Sequence, residues 1–86
     1  MSVFYVYVLE TVSKKGKRSY YTGYTKNLLR RVEEHKNGTG AKFCRGKKIE
    51  LKYFETYTTR KKAMNREIEI KSFSKKKKKE LINKFS

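Results

Sequence analysis

The sequence predicts an α/β (α+β) domain with a small three-stranded antiparallel sheet flanked by helices, in the order β-β-α-β-α-α. Two runs of β-branched and aromatic residues near the start are separated by a short charged segment, and a third such run follows later. The remaining apolar residues recur at helical spacing. With 86 residues and no linker or repeat, the chain is expected to form a single domain over residues 1–86.

The first two strands are predicted to form a hairpin. Residues 3–10 (VFYVYVLE) and 18–23 (RSYYTG) are rich in the side chains that sheets favour, and SKKGK at 13–17 supplies a charged turn with one glycine. Residues 49–57 (IELKYFETY) are the predicted third strand, with a change of register near Phe54.

The first helix is predicted between the hairpin and the third strand, over residues 28–37. Asn27 is a favourable N-cap, and Gly38 lies where a helix-ending glycine belongs. Leu28, Val32 and His35 share one face of this helix. The glycine-rich segment 37–48 that follows is expected to be a loop.

Two more helices are predicted after the third strand. Thr58 or Thr59 caps a helix that reaches about Phe73, and Ser74 caps a final helix with the sequence KKKKKELINKF. The final helix is expected to pack through Leu81, Ile82 and Phe85. A disordered tail is the alternative for the lysine run at 75–79.

The chain is strongly basic, with 24 Lys and Arg against 8 Asp and Glu and a formal net charge of +16. Such a surface attracts nucleic acid without selecting a sequence, so nucleic acid is the expected partner. Lysine-rich solubility is the alternative, and an anionic membrane surface is a third. Cys44 is the single cysteine, which excludes an internal disulfide and cysteine-based zinc sites. The apolar start is too short to span a bilayer and lacks a cleavage signal, so a cytoplasmic protein without membrane contact is expected.

Five polar side chains are candidates for a catalytic site. Tyr7 lies on the first predicted strand and Tyr21 on its hairpin partner. Arg31 and His35 are four residues apart and are therefore neighbours on one helix face. Glu67 has small and apolar neighbours on the second helix, so its side chain is expected to point towards the sheet. An inward-facing carboxylate requires a basic partner or a metal ion.

These residues resemble the motifs of the GIY-YIG nucleases, above all the small, stand-alone, single-domain bacterial and archaeal members. The motif residues are Tyr5-Val6-Tyr7, Tyr21-Thr22-Gly23, Arg31, His35 and Glu67. The resemblance covers about residues 3–83, and the spacings from Tyr21 to Arg31 and from Arg31 to His35 match the family pattern.

Three positions depart from the family pattern. Tyr5 replaces the family's first glycine, and Tyr24 stands where a lysine is frequent. Asn83 is the nearest counterpart of a late family asparagine, but it lies far from Glu67 along the chain.

The resemblance implies a metal-dependent DNA endonuclease with Tyr7, Tyr21, Arg31, His35 and Glu67 as catalytic residues. Glu67 is a hard oxygen ligand suited to Mg²⁺ or Mn²⁺, and Arg31 offers a rigid fork for the scissile phosphate. Tyr7, Tyr21 and His35 are each possible bases for the attacking water. The residues alone do not choose among them, and the resemblance favours a tyrosine.

Charge and position suggest a wider DNA-binding set. The expected nucleic-acid-binding residues are Tyr5, Gly23, Lys26, Arg30, Lys42, Arg45, Lys47, Lys75 and Lys76. Gly23 is expected either to let the backbone approach a ligand or to adopt a positive φ. The sequence has no helix-turn-helix, finger or arm that would read bases. Duplex, nicked or branched DNA, as in repair or recombination, is therefore the expected substrate, with DNA structure or an accessory protein supplying selection.

Each candidate residue also has a simpler interpretation. Tyr7 and Tyr21 could be cross-strand packing partners, and His35 could complement the helix dipole. Arg31 could pair with Glu33 or Glu34, and Glu67 with Lys71.

Two other functions remain open at this point. The main alternative is a non-catalytic nucleic-acid-binding module on the same fold, stacking bases on Tyr5, Tyr20, Tyr24 and Tyr53. Metal-dependent nicking that a chelator abolishes would exclude it. A toxin-like or ribosome-associated basic protein is the third possibility, and it would prefer RNA.

Overall fold

The computed structural model describes residues 2–85, apart from the side chain of Phe85, and confirms the predicted fold class. The elements are β1 (Phe4–Val12), β2 (Arg18–Thr25), α1 (Leu28–Lys36), a short 3₁₀ turn (Lys42–Cys44), β3 (Lys48–Tyr57), α2 (Arg60–Lys71) and α3 (Lys75–Phe85). The strands form one antiparallel sheet in the order β2-β1-β3, so β1 is central and β2 is an edge strand.

β1 contributes to a core on each face of the sheet, because successive side chains of a strand point to opposite sides. The core on the α1 face contains Tyr7, Leu9, Leu28, Val32 and Cys44. The core on the other face contains Phe4, Val6, Val8, Tyr53, Ala63 and Ile70. The sheet is therefore the middle layer between α1 and the α2–α3 pair.

The final helix packs as predicted. Leu81 and Ile82 lie against the core that contains Ile70, so the lysine run at 75–79 belongs to a docked helix. Phe85 was expected to pack beside them, but its side chain lies outside the described residues. Within residues 2–85, no helix is both long enough and apolar enough to cross a bilayer.

The change of register in β3 occurs earlier than predicted. Val8 is paired with Tyr53 but Leu9 is paired with Leu51, so Lys52 is the extra residue of a bulge. The bulge explains why Leu51 packs on the α1 face of the sheet while Tyr53 packs on the opposite face. The predicted position near Phe54 was therefore wrong by about two residues.

The helix boundaries follow local hydrogen bonding. Asn27 Oδ1 accepts from Arg30 N–H at 3.1 Å, and Thr59 Oγ1 accepts from Lys62 N–H at 3.3 Å, as expected of N-caps. Helix α1 ends at Lys36 and α2 at Lys71, slightly before the predicted ends at 37 and 73.

Gly38 ends α1 as predicted. Its φ is 79°, and its N–H donates to the His35 carbonyl. Thr39 N–H donates to the Glu34 carbonyl at 3.0 Å, which completes a Schellman arrangement. This turn directs the following loop back across the buried face of α1.

Candidate active site

One cleft gathers side chains from four elements at the end of the sheet where β2 leads into α1. Tyr7 comes from β1, Tyr21 from β2, Arg31 from α1 and Glu67 from α2. The cleft has a volume of about 620 Å³. Four of the five predicted catalytic side chains therefore line one space, and the fifth, His35, lies directly behind Tyr7.

Tyr7 and His35 form a buried pair. The Tyr7 hydroxyl oxygen lies 2.9 Å from Nε2 of His35, and His35 is 1% exposed. Ala41 N–H donates to Nδ1 of His35 at 3.3 Å, so Nδ1 must be the unprotonated nitrogen. The neutral imidazole therefore carries its proton on Nε2 and donates it to the Tyr7 oxygen. The hydroxyl hydrogen of Tyr7 is left free to point into the cleft.

Burial keeps both members of this pair neutral. Desolvation raises the pKa of Tyr7 to about 12, although a hydrogen bond from Arg31 and its charge act in the opposite direction. Desolvation also lowers the pKa of His35, and the positive charge of Arg31 adds to that effect. His35 is therefore a neutral hydrogen-bond donor to Tyr7 at physiological pH.

Two glycines make room for this pair. A Cβ atom at Gly23 would lie 2.5 Å from the Tyr7 hydroxyl oxygen, and one at Gly40 would lie 2.5 Å from Nδ1 of His35. Gly23 faces Tyr7 across the β1–β2 ladder and is not among the glycines with positive φ. Of the two alternatives expected for Gly23, the positive φ does not occur, because the residue lies within β2, where its lack of a side chain allows the close approach of the Tyr7 ring.

Tyr21 lies beside the pair. Its ring centroid is 5.1 Å from that of His35 and 6.5 Å from that of Tyr7. Burial raises the pKa of Tyr21, the nearby Cys44 adds to the rise, and Arg31 opposes it. Both tyrosines therefore present protonated hydroxyl groups at neutral pH.

Arg31 is oriented by a carboxylate on its own helix. Its Nη1 donates to Glu34 Oε1 at 2.9 Å, while Nε of Arg30 lies 3.5 Å from Glu34 Oε2. Arg31 thus forms an ion pair with Glu34, one of the two partners that the simpler interpretation named. Glu34 and Arg30 also line the cleft, so the pairing holds the guanidinium at the cleft wall.

Glu67 points inward as predicted. Its side chain is 17% exposed and lines the cleft, and Lys71 Nζ lies 3.7 Å from its Oε1. The Lys71 side chain is half exposed, so this is a loose ion pair on the solvent side of the helix. Within residues 2–85, no group of three or more His, Cys, Asp and Glu side chains is arranged to hold a metal ion. A cation at Glu67 would therefore have fewer than three such ligands from the described residues.

The predicted nucleic-acid-binding residues divide into two groups. Gly23, Lys26 and Arg30 line the cleft. The other predicted residues lie elsewhere: Tyr5 against Phe54, Lys42 and Arg45 exposed at the 3₁₀ turn, Lys47 over the Phe43 ring, and Lys75 and Lys76 on α3.

Three of the four tyrosines of the base-stacking alternative lie outside the cleft, and the fourth, Tyr24, lines it. Tyr53 is buried, and its hydroxyl donates to Glu55. Tyr20 and Tyr24 are half-buried against the core on the α2 face, and Tyr5 against the core on the α1 face.

The sequence did not predict the role of the loop between α1 and β3. Gly40 and the Ala41 N–H contact His35, and the Phe43 ring lies against Tyr21. Outside this loop, Tyr24 of β2 and Arg60 of α2 also line the cleft. The available signal was the alternation of glycine with small residues at 38–41. This pattern has no helical or strand periodicity, so it does not predict which residues the loop contacts.

Comparison with known proteins agrees with the predicted resemblance. A family model described as the GIY-YIG catalytic domain matches residues 3–80. A UPF0213 protein of Haloquadratum walsbyi is 46% identical over 78 residues, covering 90% of this chain and 83% of that protein. A UPF0213 protein of Staphylococcus saprophyticus is 40% identical over 84 residues, covering 96% and 98%.

A solved structure is similar as well. The solution NMR structure of the UPF0213 protein BH0048 from Bacillus halodurans is 36% identical, with a TM-score of 0.53, and the match covers 94% of this chain and 83% of that one. Because the family model spans most of the sequence, the chain belongs to the GIY-YIG nuclease family.

Proposed function

We propose that this chain is a metal-dependent DNA endonuclease that hydrolyses phosphodiester bonds with low sequence specificity. The observation that carries the proposal is the single cleft lined by Tyr7, Tyr21, Arg31 and Glu67. These residues come from four elements that are distant in sequence, so cross-strand packing alone does not account for their convergence. A net charge of +16 supplies attraction for the DNA backbone.

The donor set fits a hard divalent cation. Glu67 offers carboxylate oxygens on the cleft wall, and its Lys71 partner is at 3.7 Å and can turn away into solvent. A single carboxylate suits Mg²⁺ or Mn²⁺, which keep water and substrate oxygens in the rest of the coordination shell. When bound, such a cation would stabilise the charge that develops on the phosphate oxygens and on the leaving oxygen.

Arg31 is the proposed ligand of the scissile phosphate. Glu34 engages Nη1 of Arg31, which fixes the orientation of the planar guanidinium, and the N–H groups that engage neither Glu34 nor Tyr7 are left for phosphate oxygens. Lys26 and Arg30 line the same cleft and would contact neighbouring phosphates. These contacts hold the backbone without reading bases, which accounts for low sequence specificity.

Tyr7 is the proposed residue that orients the attacking water, and as a phenolate, formed by loss of its hydroxyl proton to the solvent of the cleft, it would accept the proton of that water. Its oxygen receives the Nε2–H of His35, and Arg31 also favours the phenolate by hydrogen bonding and charge. These two groups oppose the desolvation that raises the pKa of Tyr7 to about 12. His35 does not line the cleft and its Nδ1 is occupied by Ala41 N–H, so we assign it as a positioning residue.

The proposal is tested with purified protein on supercoiled plasmid and on nicked and branched duplexes, with Mg²⁺ or Mn²⁺ and with EDTA. We expect strand cleavage that requires the metal and stops with the chelator. Arg31→Ala should lower kcat/KM by at least about a hundredfold, as the loss of a charged transition-state contact does. Arg18→Ala removes the same charge outside the cleft and is the matched control. If the wild type cleaves none of these DNAs with either metal, the proposal is wrong and the binding-module alternative stands.

A further inference from the structure

The Phe43 ring is exposed at the surface beside the cleft. It is 44% exposed, although Cys44 in the same 3₁₀ turn and Ala41 just before it are both held in place. Cys44, the next residue, is 1% exposed and belongs to the core on the α1 face. Ala41, just before the turn, donates its N–H to His35. The loop therefore fixes Phe43 to the same framework that holds Tyr7.

The Phe43 ring continues a row of rings that begins in the cleft. Tyr21 lines the cleft, and the Phe43 ring is stacked on it with centroids 6.1 Å apart and an interplanar angle of 26°. A cation also lies over the Phe43 ring, because Lys47 Nζ is 3.6 Å from its centroid. Lys47 has a flexible stem, so its ammonium can leave the ring for a phosphate and expose an aromatic face.

We propose that Phe43 stacks on an unpaired base next to the phosphate held at Arg31, which makes DNA with unpaired nucleotides the preferred substrate class. The inference rests on the proposed function in that it assumes a DNA backbone in the cleft. A base is attached to its phosphate through one sugar, so a strand lying along Arg31 brings a base to the adjacent Tyr21–Phe43 surface. A base within an intact duplex is already stacked on its neighbours, whereas a flap or gap supplies one that is free.

The charges around Phe43 support a nucleic-acid ligand. Lys42 and Arg45 are exposed on either side of it, and Lys47 covers its ring. Aromatic rings flanked by cations are the usual platform for single strands, because every base has a face that can stack. Leu29 and Ile68 are also exposed apolar residues, but both are aliphatic and offer no aromatic face to a base.

The test is DNA binding in EDTA, so that cleavage is not involved. Two duplexes carry a single-stranded flap of equal length, one with bases and one abasic, so both have the same phosphates. We expect the wild type to bind the flap with bases on the order of tenfold more tightly, the size of effect that one stacked base gives. Phe43→Leu should remove this preference and keep the affinity for the abasic flap. Phe43→Trp should retain it, and Leu29→Ala, the matched control, should behave as wild type.

The Phe43→Trp variant also gives a direct readout, because the chain has no other tryptophan. Its indole emission should be quenched by the flap with bases and not by the abasic flap. Three results would overturn the inference. The wild type could bind the two flaps equally, the preference could survive in Phe43→Leu, or the indole emission of Phe43→Trp could fail to respond to the flap with bases. A Phe43-dependent preference in a protein that never cleaves DNA would refute the proposed function and leave this inference standing.

Discussion

The Tyr7 hydroxyl oxygen and Nε2 of His35 lie 2.9 Å apart, although 28 residues separate them in the sequence. The central strand supplies one and the buried face of α1 supplies the other. Because Ala41 N–H occupies Nδ1, the imidazole donates to the tyrosine rather than accepting from it. The pair thus sets the direction of the Tyr7 hydroxyl hydrogen, and its geometry depends on a neutral His35.

Stability should fall as His35 is protonated. Burial lowers the pKa of His35 in the folded protein, whereas the unfolded side chain titrates near about 6.5. At pH values below about 6.5 the unfolded chain therefore binds more protons than the folded one. The contribution of the neutral His35 to the free energy of unfolding is thus present above that pH and is lost as pH falls. His35→Gln can still donate to Tyr7 but does not titrate. Urea midpoints from pH 8 to 5 should fall more for wild type than for His35→Gln, and parallel curves would show that the imidazole is not held neutral.

Gly23→Ala should disturb Tyr7. The added Cβ would lie 2.5 Å from the Tyr7 hydroxyl oxygen and 2.7 Å from its Cζ, so the ring must move. We expect a loss of about 1–3 kcal/mol in the free energy of unfolding, as for other overpacked sites, and strongly reduced cleavage.

A double-mutant cycle identifies the cause of that loss. Tyr7→Leu removes the atoms that the new Cβ would meet, so Gly23→Ala should cost much less in that background. Equal costs in the two backgrounds, measured by urea unfolding, would place the strain of Gly23→Ala elsewhere.

Glu55 should be the carboxylate on which the far side of the sheet most depends. Arg66 Nε and Nη2 each donate to it at 2.9 Å, and the hydroxyls of Tyr53 and Tyr57 donate as well. Burial raises the pKa of Glu55, but these four bonds outweigh burial and lower it overall. The contribution of Glu55 to the free energy of unfolding is therefore complete above its pKa in the unfolded chain. It is lost as pH falls through the lower pKa of Glu55 in the folded protein.

Glu55→Gln should accordingly cost about 1.5–3 kcal/mol at pH 7, the range for hydrogen bonds to charged groups. Glu50→Gln is the matched control, because Glu50 is 67% exposed and pairs with Lys52 at 3.2 Å. That change should cost less than about 0.5 kcal/mol. Similar losses of unfolding free energy for the two variants would contradict the assignment.

The lysines of α3 should contribute to DNA affinity unequally. Lys75 Nζ donates to the Arg18 carbonyl at 2.8 Å, and Lys77 Nζ lies 4.1 Å from the Phe73 ring centroid. Among the described residues of α3, Lys76 and Lys79 are exposed and make neither kind of interaction. The double change Lys76→Gln and Lys79→Gln should weaken binding equally for all sequences. It should also flatten the slope of log affinity against log salt by roughly 0.9 for each phosphate that the variant no longer neutralises.

Turnover at saturating DNA should survive that double change, because none of the described α3 residues lines the cleft. Affinity and kcat are measured separately over a salt series. A collapse of kcat in saturating DNA would mean that the lysine run takes part in the reaction.

The features that were predictable from the sequence are those with a local cause. Asn27 and Thr59 cap their helices as expected, and Gly38 ends α1, because capping is decided within a few residues. The buried face of α1 followed from the spacing of Leu28 and Val32. The family motifs added the expectation that Tyr7 and Tyr21 lie near Arg31, and all three line the cleft.

The features that were missed depend on contacts between distant segments. Nothing local indicates that Gly40 packs on His35, because the glycine-rich loop has no periodicity. The bulge at Lys52 results from how β3 pairs with β1, and alternation within β3 alone placed it too late. The pairing of Arg66 with Glu55 likewise joins a helix to a strand 11 residues away.

Glu67→Gln tests the central claim most directly. The substitution keeps the shape of the side chain but replaces a carboxylate with an amide, a much poorer ligand for a hard cation. Glu69→Gln makes the same change of charge two residues along α2, where the side chain pairs with Arg66 outside the cleft, and is the matched control. The measurement is single-turnover cleavage at saturating DNA with Mg²⁺ or Mn²⁺, with binding measured in parallel. We expect Glu67→Gln to bind DNA at least as tightly as wild type but to cleave it on the order of a thousandfold more slowly, because the lost stabilisation belongs to the transition state. Glu69→Gln should cleave like wild type, whereas unchanged cleavage by Glu67→Gln that EDTA still abolishes would contradict the assignment of the metal to Glu67.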